Sequence, residues 1–341
     1  MKFKTVLGLI LSVGLVAWIV SKYELSDALA QLEHANLSYL APLPVLFAFD
    51  YITRAIRWRT LFDVDVRPRT GTLLRALMVS YLMNNILPAR AGDIARIYLL
   101  GRRTEISKSI ILATLLVEKV GDLIVTGCLL SAVLIVLPAN EWIRAAGYGT
   151  FVISLVGALI LFLVPVLSKH THEWIKRYFG FLPQALYQHL LAFITNVSGG
   201  VRDGIRLPGL LRFAAYSIVI WAMEVTIMLS IARSLGIQAG LMPLLFVMLA
   251  ITVGTMIPSS PGYIGTFEYF ALSALALIGI TGTTALGFTL LYHAIVLIGT
   301  SLGGVVFVIL PGREQILLLL NKNRAERNKA GLEDADGISK S

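Results

Sequence analysis

The chain has 341 residues, of which 57% are hydrophobic and only 14% charged, with a mean hydropathy of +0.79. An ordinary soluble domain carries about 25% charge, so this composition excludes a water-soluble enzyme or nucleic-acid module and points to a polytopic membrane protein. The net charge of +9 fits Lys and Arg gathered in cytoplasmic loops, and Cys128 alone can make neither an intrachain disulfide nor a cysteine metal cluster.

From the N-terminus, Lys2 and Lys4 precede an apolar run over 5–21 that resembles a signal peptide. The small-x-small triplet Ala28-Leu29-Ala30 lies beyond Lys22, Glu24 and Asp27, too far and too polar for cleavage, so an uncleaved anchor helix is expected. Further full spans are predicted over 38–59, 107–137, 147–168, 208–235 and 284–310. Runs of ~20 residues at 1.5 Å each cross a hydrocarbon core of about 30 Å. Two other apolar regions, 72–100 and 241–280, are broken by Pro, Gly and charges. The mixed segment 169–206, with Trp174, Tyr178 and Phe179 among Lys176 and Arg177, reads as a cytoplasmic amphipathic linker. Residues 321–341 form a polar cytoplasmic tail, leaving 1–320 as a single membrane domain.

If the two broken regions do not cross, six spans place almost every Lys and Arg on the N-terminal side. Lys22, Arg144 and Arg233 fall outside, and Arg90, Arg96 and Lys119 sit at membrane depth. By the positive-inside rule both termini are therefore cytoplasmic, and the cell membrane is the expected location.

The broken regions also read alike. Asn85-Ile86-Leu87-Pro88-Ala89-Arg90-Ala91-Gly92-Asp93-Ile94-Ala95 aligns with Thr255-Met256-Ile257-Pro258-Ser259-Ser260-Pro261-Gly262-Tyr263-Ile264-Gly265 at an offset of 170 residues. The same offset lays 38–137 on 208–307. One broken region would open from the cytoplasm and the other from outside. The expected fold is thus all-α, with about six full spans and two re-entrant broken-helix hairpins in inverted-topology repeats. Pro88 and Pro258 would end half-length helices. Ser260 and Pro261 fit the N-cap and first position of the second half-helix, whose free N–H groups suit an anionic head group.

A charge at the bilayer centre costs at least ~2.5–3.5 kcal/mol, so the charges at depth need partners or water. They are Arg90, Asp93, Arg96, Glu118, Lys119, Asp122, Glu224 and Glu268. Glu118 and Asp122 share a helix face and are expected to meet Arg90 and Arg96, as a structural knot or as a phosphate site. Arg54, Arg57 and Arg59 are expected to snorkel at the inner interface, and His293 to make a hydrogen-bonded helix contact rather than to act as a proton relay.

Four motifs then resemble a known family: Ile56-Arg57-Trp58-Arg59; Asn85 through Asp93 with Arg96; Val117-Glu118-Lys119-Val120-Gly121-Asp122; and Pro258 through Glu268. Over roughly residues 5–310 the chain is similar to the flippase-like transmembrane region of lysylphosphatidylglycerol synthases. Asp93 stands where the family often has Glu, and Lys119 where it often has Arg, which removes a planar fork. The resemblance implies movement of a phospholipid, aminoacyl-phospholipid or polyprenyl-phosphate lipid between leaflets. It puts Arg90, Asp93, Arg96, Glu118, Asp122 and Glu268 on motif positions, with no soluble aminoacyl-transfer domain after residue 310.

A lipid flippase-like transporter for an anionic or zwitterionic head group is therefore expected. Its substrate site would draw on Arg90, Asp93, Arg96, Glu118, Asp122, Ser260, Gly262 and Glu268, with no cofactor, metal or nucleic acid. Without a Walker A sequence, flipping would be downhill or ion-coupled, with Glu118, Asp122, Glu224 or Glu268 as proton sites. The alternative is a non-transporting accessory subunit for envelope-lipid enzymes. An intramembrane aspartyl enzyme using Asp93 and Asp122 is disfavoured, because Arg90, Arg96 and Lys119 would keep both ionised. Other enzyme signatures, His-Glu-x-x-His and Gly-x-Ser-x-Gly, do not occur.

Overall fold

A computed structural model describes residues 2–63, 65, 67–88, 90–137, 141–166, 183–184, 186–188, 191, 207–257 and 259–309. The expected linker 169–206 lies almost wholly outside these residues, and the tail 321–341, Pro258 and the end of the 147–168 span lie outside them too. The described residues are mostly helical, with no strand among them. In order they form α1 (Lys2–Lys22), α2 (Leu25–Glu33), α3 (Leu37–Leu40), α4 (Leu43–Arg59), α5 (Thr70–Ile86), α6 (Ala91–Arg103), α7 (Lys108–Val136) and α8 (Glu141–Val166). There follow α9 (Leu207–Ser234), α10 (Leu241–Gly254), a 3-10 turn (Pro261–Tyr263), α11 (Thr266–Leu277) and α12 (Gly282–Ile309).

Among the described residues three helices, α7, α9 and α12, are long and apolar enough to cross a membrane outright. Helix α4 is shorter and carries Asp50, Arg54, Arg57 and Arg59; α3 extends it, with Pro42 holding helical torsions between them. Outward faces bear exposed apolar side chains such as Ile135, Ile153, Ile218 and Leu302. This is the surface expected when lipid, rather than water, surrounds the helices. The chain is an all-α membrane protein.

Helices α4 and α9 run antiparallel. Gly209, at the start of α9, lies so close to the end of α4 that a Cβ there would come within 2.4 Å of the Thr60 carbonyl oxygen. At the other end, the Asn36 N–H donates to the Ser234 carbonyl at 2.8 Å. Hairpin α5–α6 begins and ends beside the Arg59 end of α4, whereas the hairpin α10–α11 begins beside the Ser234 end of α9. The two hairpins therefore enter from opposite faces.

Each hairpin is pinched by glycine. A Cβ on Gly92 would sit 2.0 Å from the Ser80 carbonyl oxygen, and a Cβ on Gly254 would sit 2.2 Å from Phe270 Cδ2. The helices can approach so closely only where no side chain intervenes. Helix α5 stops where the sequence predicts: Leu87 turns extended before Pro88, and Arg90 takes left-handed torsions (φ 54) to start α6.

The second hairpin corrects an expectation. Ser260 and Pro261 open only the 3-10 turn, and the α-helix starts five residues later at Thr266. Positive φ at Gly262, Tyr263 and Gly265 breaks the run, and the Glu268 carboxylate accepts the Gly265 N–H at 2.7 Å. That helix N-terminus is thus already occupied by the chain's own acid, rather than free for a head group.

Candidate functional site

The hairpin turns meet inside the bundle. The Arg90 guanidinium donates to the Thr255 carbonyl at 2.8 Å and lies 5.7 Å from the Tyr263 ring centroid. The Asn85 amide donates to Thr300 and Ser301 on α12 at 2.8 and 2.9 Å. Between these turns and helices α4, α7, α9 and α12 lies a cavity of about 310 Å³.

Arg90, Asp93, Arg96, Glu118, Asp122 and Gly262 border this cavity, together with Asp50, Arg54, Lys119, Glu224 and His293. Two expected site residues do not. Ser260 faces α1, its N–H donating to Ser12 Oγ at 3.1 Å and its hydroxyl to the Ile264 carbonyl at 2.9 Å. Glu268 stands behind the wall, reaching the cavity only through His293.

Three groups of charges are distinguishable. In the first, Arg96 pairs with Glu118, and Arg57 holds Asp122 at 2.6 Å while standing 3.7 Å from Glu118. Arg96 is 1% exposed and Arg57 2%. Both guanidiniums lie over aromatic faces, Arg96 on Trp58 at 3.8 Å and Arg57 on Phe213 at 4.6 Å. Trp58 is itself anchored by Nε1 donating to Thr114 Oγ1 at 3.0 Å. Arg57 and Trp58 thus serve one buried network from adjacent positions. Gly121 in the third motif is explained too, since a Cβ there would meet Phe213 at 2.5 Å.

This overturns the expectation that Arg57 snorkels. Its guanidinium points into the bundle because two carboxylates and Ser217 offer more than the interface does. Arg54 also turns inward, to Asp50 at 2.7 Å and to Glu224, whereas Arg59 donates to the Pro68 carbonyl at 2.9 Å. The expected pairing of Arg96 with Glu118 holds, but Asp122 meets Arg57, not Arg90 or Arg96. Arg90 has no carboxylate partner among the described residues. Lys119 takes Asp93 at 3.4 Å, so Asp93 and Asp122 each face their own cation and do not form a shared-proton dyad.

In the second group, one guanidinium serves two carboxylates, so the Asp50–Arg54–Glu224 set carries a surplus negative charge. Asp50 is 2% exposed, and its Oδ1 has no hydrogen-bond partner among the described residues. Phe47, Tyr51, Tyr81 and Tyr292 line this part of the cavity, with Tyr51 5.9 Å from both Phe47 and Tyr81. Asp50 escaped the sequence reading, although Asp50, Arg54 and Arg57 at spacings of four and three mark one charged helix face. Arg90 is the opposite pole, with a surplus positive charge.

In the third group, His293 bonds Glu268 through Nδ1 at 2.5 Å and the Gly262 carbonyl through Nε2 at 2.8 Å. The hydrogen-bonded contact expected of His293 is present, made to the second hairpin.

Among curated proteins the chain is similar to glycosyltransferase AglD of Haloferax volcanii, at 26% identity over 88% of this chain and 53% of that one. It thus spans about half the length of that relative. It is also 23% identical to a UPF0104 membrane protein of Methanothermobacter thermautotrophicus, covering 91% of this chain and 94% of that one. The UPF0104 membrane protein MJ1078 of Methanocaldococcus jannaschii is 28% identical over 62% of this chain and 87% of its own. No solved structure matches the chain. The family model for the lysylphosphatidylglycerol synthase transmembrane region matches residues 5–304, and the chain belongs to that family.

Proposed function

We propose that the chain is a flippase-like transporter that moves an anionic or zwitterionic lipid between leaflets of the cell membrane, with both termini cytoplasmic. The observation that carries this reading is the cavity between the two hairpin turns, with an acid pole at Asp50, whose Oδ1 has no hydrogen-bond partner among the described residues, and a basic pole at Arg90, which has no carboxylate partner among them. Non-helical backbone at membrane depth is tolerated where it lines such a cavity, and hairpins entering from opposite faces suit alternating access. A phosphate satisfies Arg90, with Lys119 nearby. An ammonium group satisfies Asp50 and Glu224 among aromatic rings. No chemical step is needed, and no cofactor is invoked.

The test is a flip assay in proteoliposomes with fluorescent phosphatidylglycerol, phosphatidylethanolamine, aminoacyl-phosphatidylglycerol and a polyprenyl phosphate. Wild type should translocate at least one of them. Arg90→Gln, which removes the cation that would meet the phosphate at the cavity, should fold and transport more slowly. The Arg57–Asp122 and Arg96–Glu118 pairs are self-sufficient without ligand, which favours a second reading as a non-transporting partner of envelope-lipid enzymes. Wild type that is monodisperse yet moves none of the lipids would select that second reading.

A further inference from the structure

The third group, His293 at the cavity wall with Glu268 behind it, stands apart from the two arginine–carboxylate groups. Glu268 on α11 and His293 on α12 are both largely buried, and their protons can be counted from geometry. A carbonyl oxygen only accepts, so the 2.8 Å contact with Gly262 requires a hydrogen on His293 Nε2. Glu268 Oε2 is engaged as acceptor of the Gly265 N–H. The contact between His293 Nδ1 and Glu268 Oε1, at 2.5 Å, would set two lone pairs against each other without a second proton between them. The pair therefore holds that shared proton and is neutral overall, whichever atom carries it.

Both partners also grip the second hairpin's turn. His293 holds the Gly262 carbonyl and Glu268 the Gly265 N–H, bracketing a stretch in which Gly262, Tyr263 and Gly265 all have positive φ. The two glycines adopt such torsions freely, but at Tyr263 (φ 61) the left-handed torsion persists only where neighbours enforce it. The Phe267 ring stacks on the imidazole at 4.1 Å and covers one face, while His293 borders the cavity on another.

We propose that the Glu268–His293 pair is a proton-binding site that couples lipid movement to proton movement across the membrane. It rests on the transporter reading. With the shared proton bound, the turn is clamped. When the proton leaves through His293 to solvent in the cavity, a carboxylate and a neutral Nε2–H imidazole remain, with net charge −1. Their facing lone pairs repel, and the grip on Gly262 and Gly265 loosens. The charged and titratable groups around the pair bias this equilibrium. They are Tyr263 in the turn, Arg90 and Asp93 from the first hairpin, Tyr292 beside His293, and Glu224, Asp50 and Arg54 across the cavity. Tyr269 and Lys22, joined through Trp18, lie toward α1. Helix α10 contributes Thr252 and Thr255, which do not titrate.

The experiment compares wild type with Glu268→Gln in proteoliposomes, without and with an imposed pH gradient. A glutamine amide can donate to Nδ1 while its oxygen accepts the Gly265 N–H, so the clamp is kept but cannot release a proton. With one proton per lipid, a gradient of ~1 pH unit sustains up to about tenfold lipid asymmetry. Wild type should accumulate lipid toward that limit, whereas Glu268→Gln should show no gradient-driven asymmetry. Wild type that equilibrates lipid but ignores the gradient overturns the coupling while leaving the transporter reading intact. If wild type moves no lipid, the transporter reading falls and coupling with it. Infrared difference titration over about pH 5–9 tests the proton site independently. A carboxyl or imidazole band present in wild type and lost in both Glu268→Gln and His293→Gln supports the site; no such band overturns it.

Discussion

In each hairpin the returning helix is tied to the long helix that follows it, but with different chemistry. In the first, Arg96 on α6 is tied to Glu118 on α7 by a guanidinium–carboxylate pair, backed by Trp58 and by the Arg57–Asp122 pair. In the second, Glu268 on α11 is tied to His293 on α12. Arginine does not lose its proton in a protein, so the first tie has one charge state. A carboxyl group and an imidazole share one removable proton in the second tie, so it can take more than one charge state. The lesson is that matching architecture in two halves does not impose matching roles. One hairpin is fastened and the other is equipped to let go.

The largest effect should come from breaking the first tie. Glu118→Ala strands Arg96, and weakens the hold on Arg57, in a buried site, costing about 3–5 kcal/mol. Thermal unfolding of the purified protein in detergent should show it, or the variant should fail to stay monodisperse. Replacing both Arg96 and Glu118 by Met should recover most of the loss, since no orphan charge remains.

The same assay on Glu268→Ala should give less, about 1–3 kcal/mol. That change removes a neutral pair and one N–H acceptor, but leaves no fixed charge behind. A loss equal to that of Glu118→Ala would erase the distinction between the hairpins.

Glycine substitutions sharpen the contrast at the turns. Gly92→Ala pushes a methyl into the Ser80 carbonyl and should cost about 1–3 kcal/mol through displaced backbone. Gly262→Ala meets Leu297 Cδ1 at 3.0 Å, an adjustable contact, and its penalty of about 1–2 kcal/mol comes from the left-handed torsion. Thermal midpoints of the two variants should rank accordingly.

The smallest effects on stability should lie at the acid pole. Glu224 is 30% exposed at its side chain, so Glu224→Gln should change stability by less than about 1 kcal/mol. Asp50→Asn should leave folding nearly intact while shifting lipid preference away from amine-bearing head groups in the flip assay. Unchanged preference would remove the ammonium from the reading of that pole.

Both hairpins were legible in the sequence because their physics is local: Pro88, Pro258 and the paired glycines interrupt apolar runs too short to cross. Arg96 with Glu118 was legible because two opposite charges at depth must find each other. Arg54 and Arg57 were misread, since arginines near a helix end ordinarily reach for the interface. Only the assembled bundle sets Glu118, Asp122 and Glu224, from distant parts of the chain, beside them. The start of α11 was also misplaced. Ser260-Pro261 fits a helix opening, but three residues with positive φ delay the helix until Glu268 can cap it.

The Arg54–Glu224 contact carries one more consequence. The two residues are 170 positions apart, the same spacing that superposes Pro88 on Pro258, so they are counterparts that touch. Were the halves identical, this contact would set like against like. Two equal charges 4 Å apart repel by roughly 4 kcal/mol at an effective dielectric of 20. With base on one copy and acid on the other, each half is complementary to its sibling and antagonistic to itself. Expressed as separate fragments, the halves should associate as an unlike couple, and neither should self-assemble into a symmetric dimer.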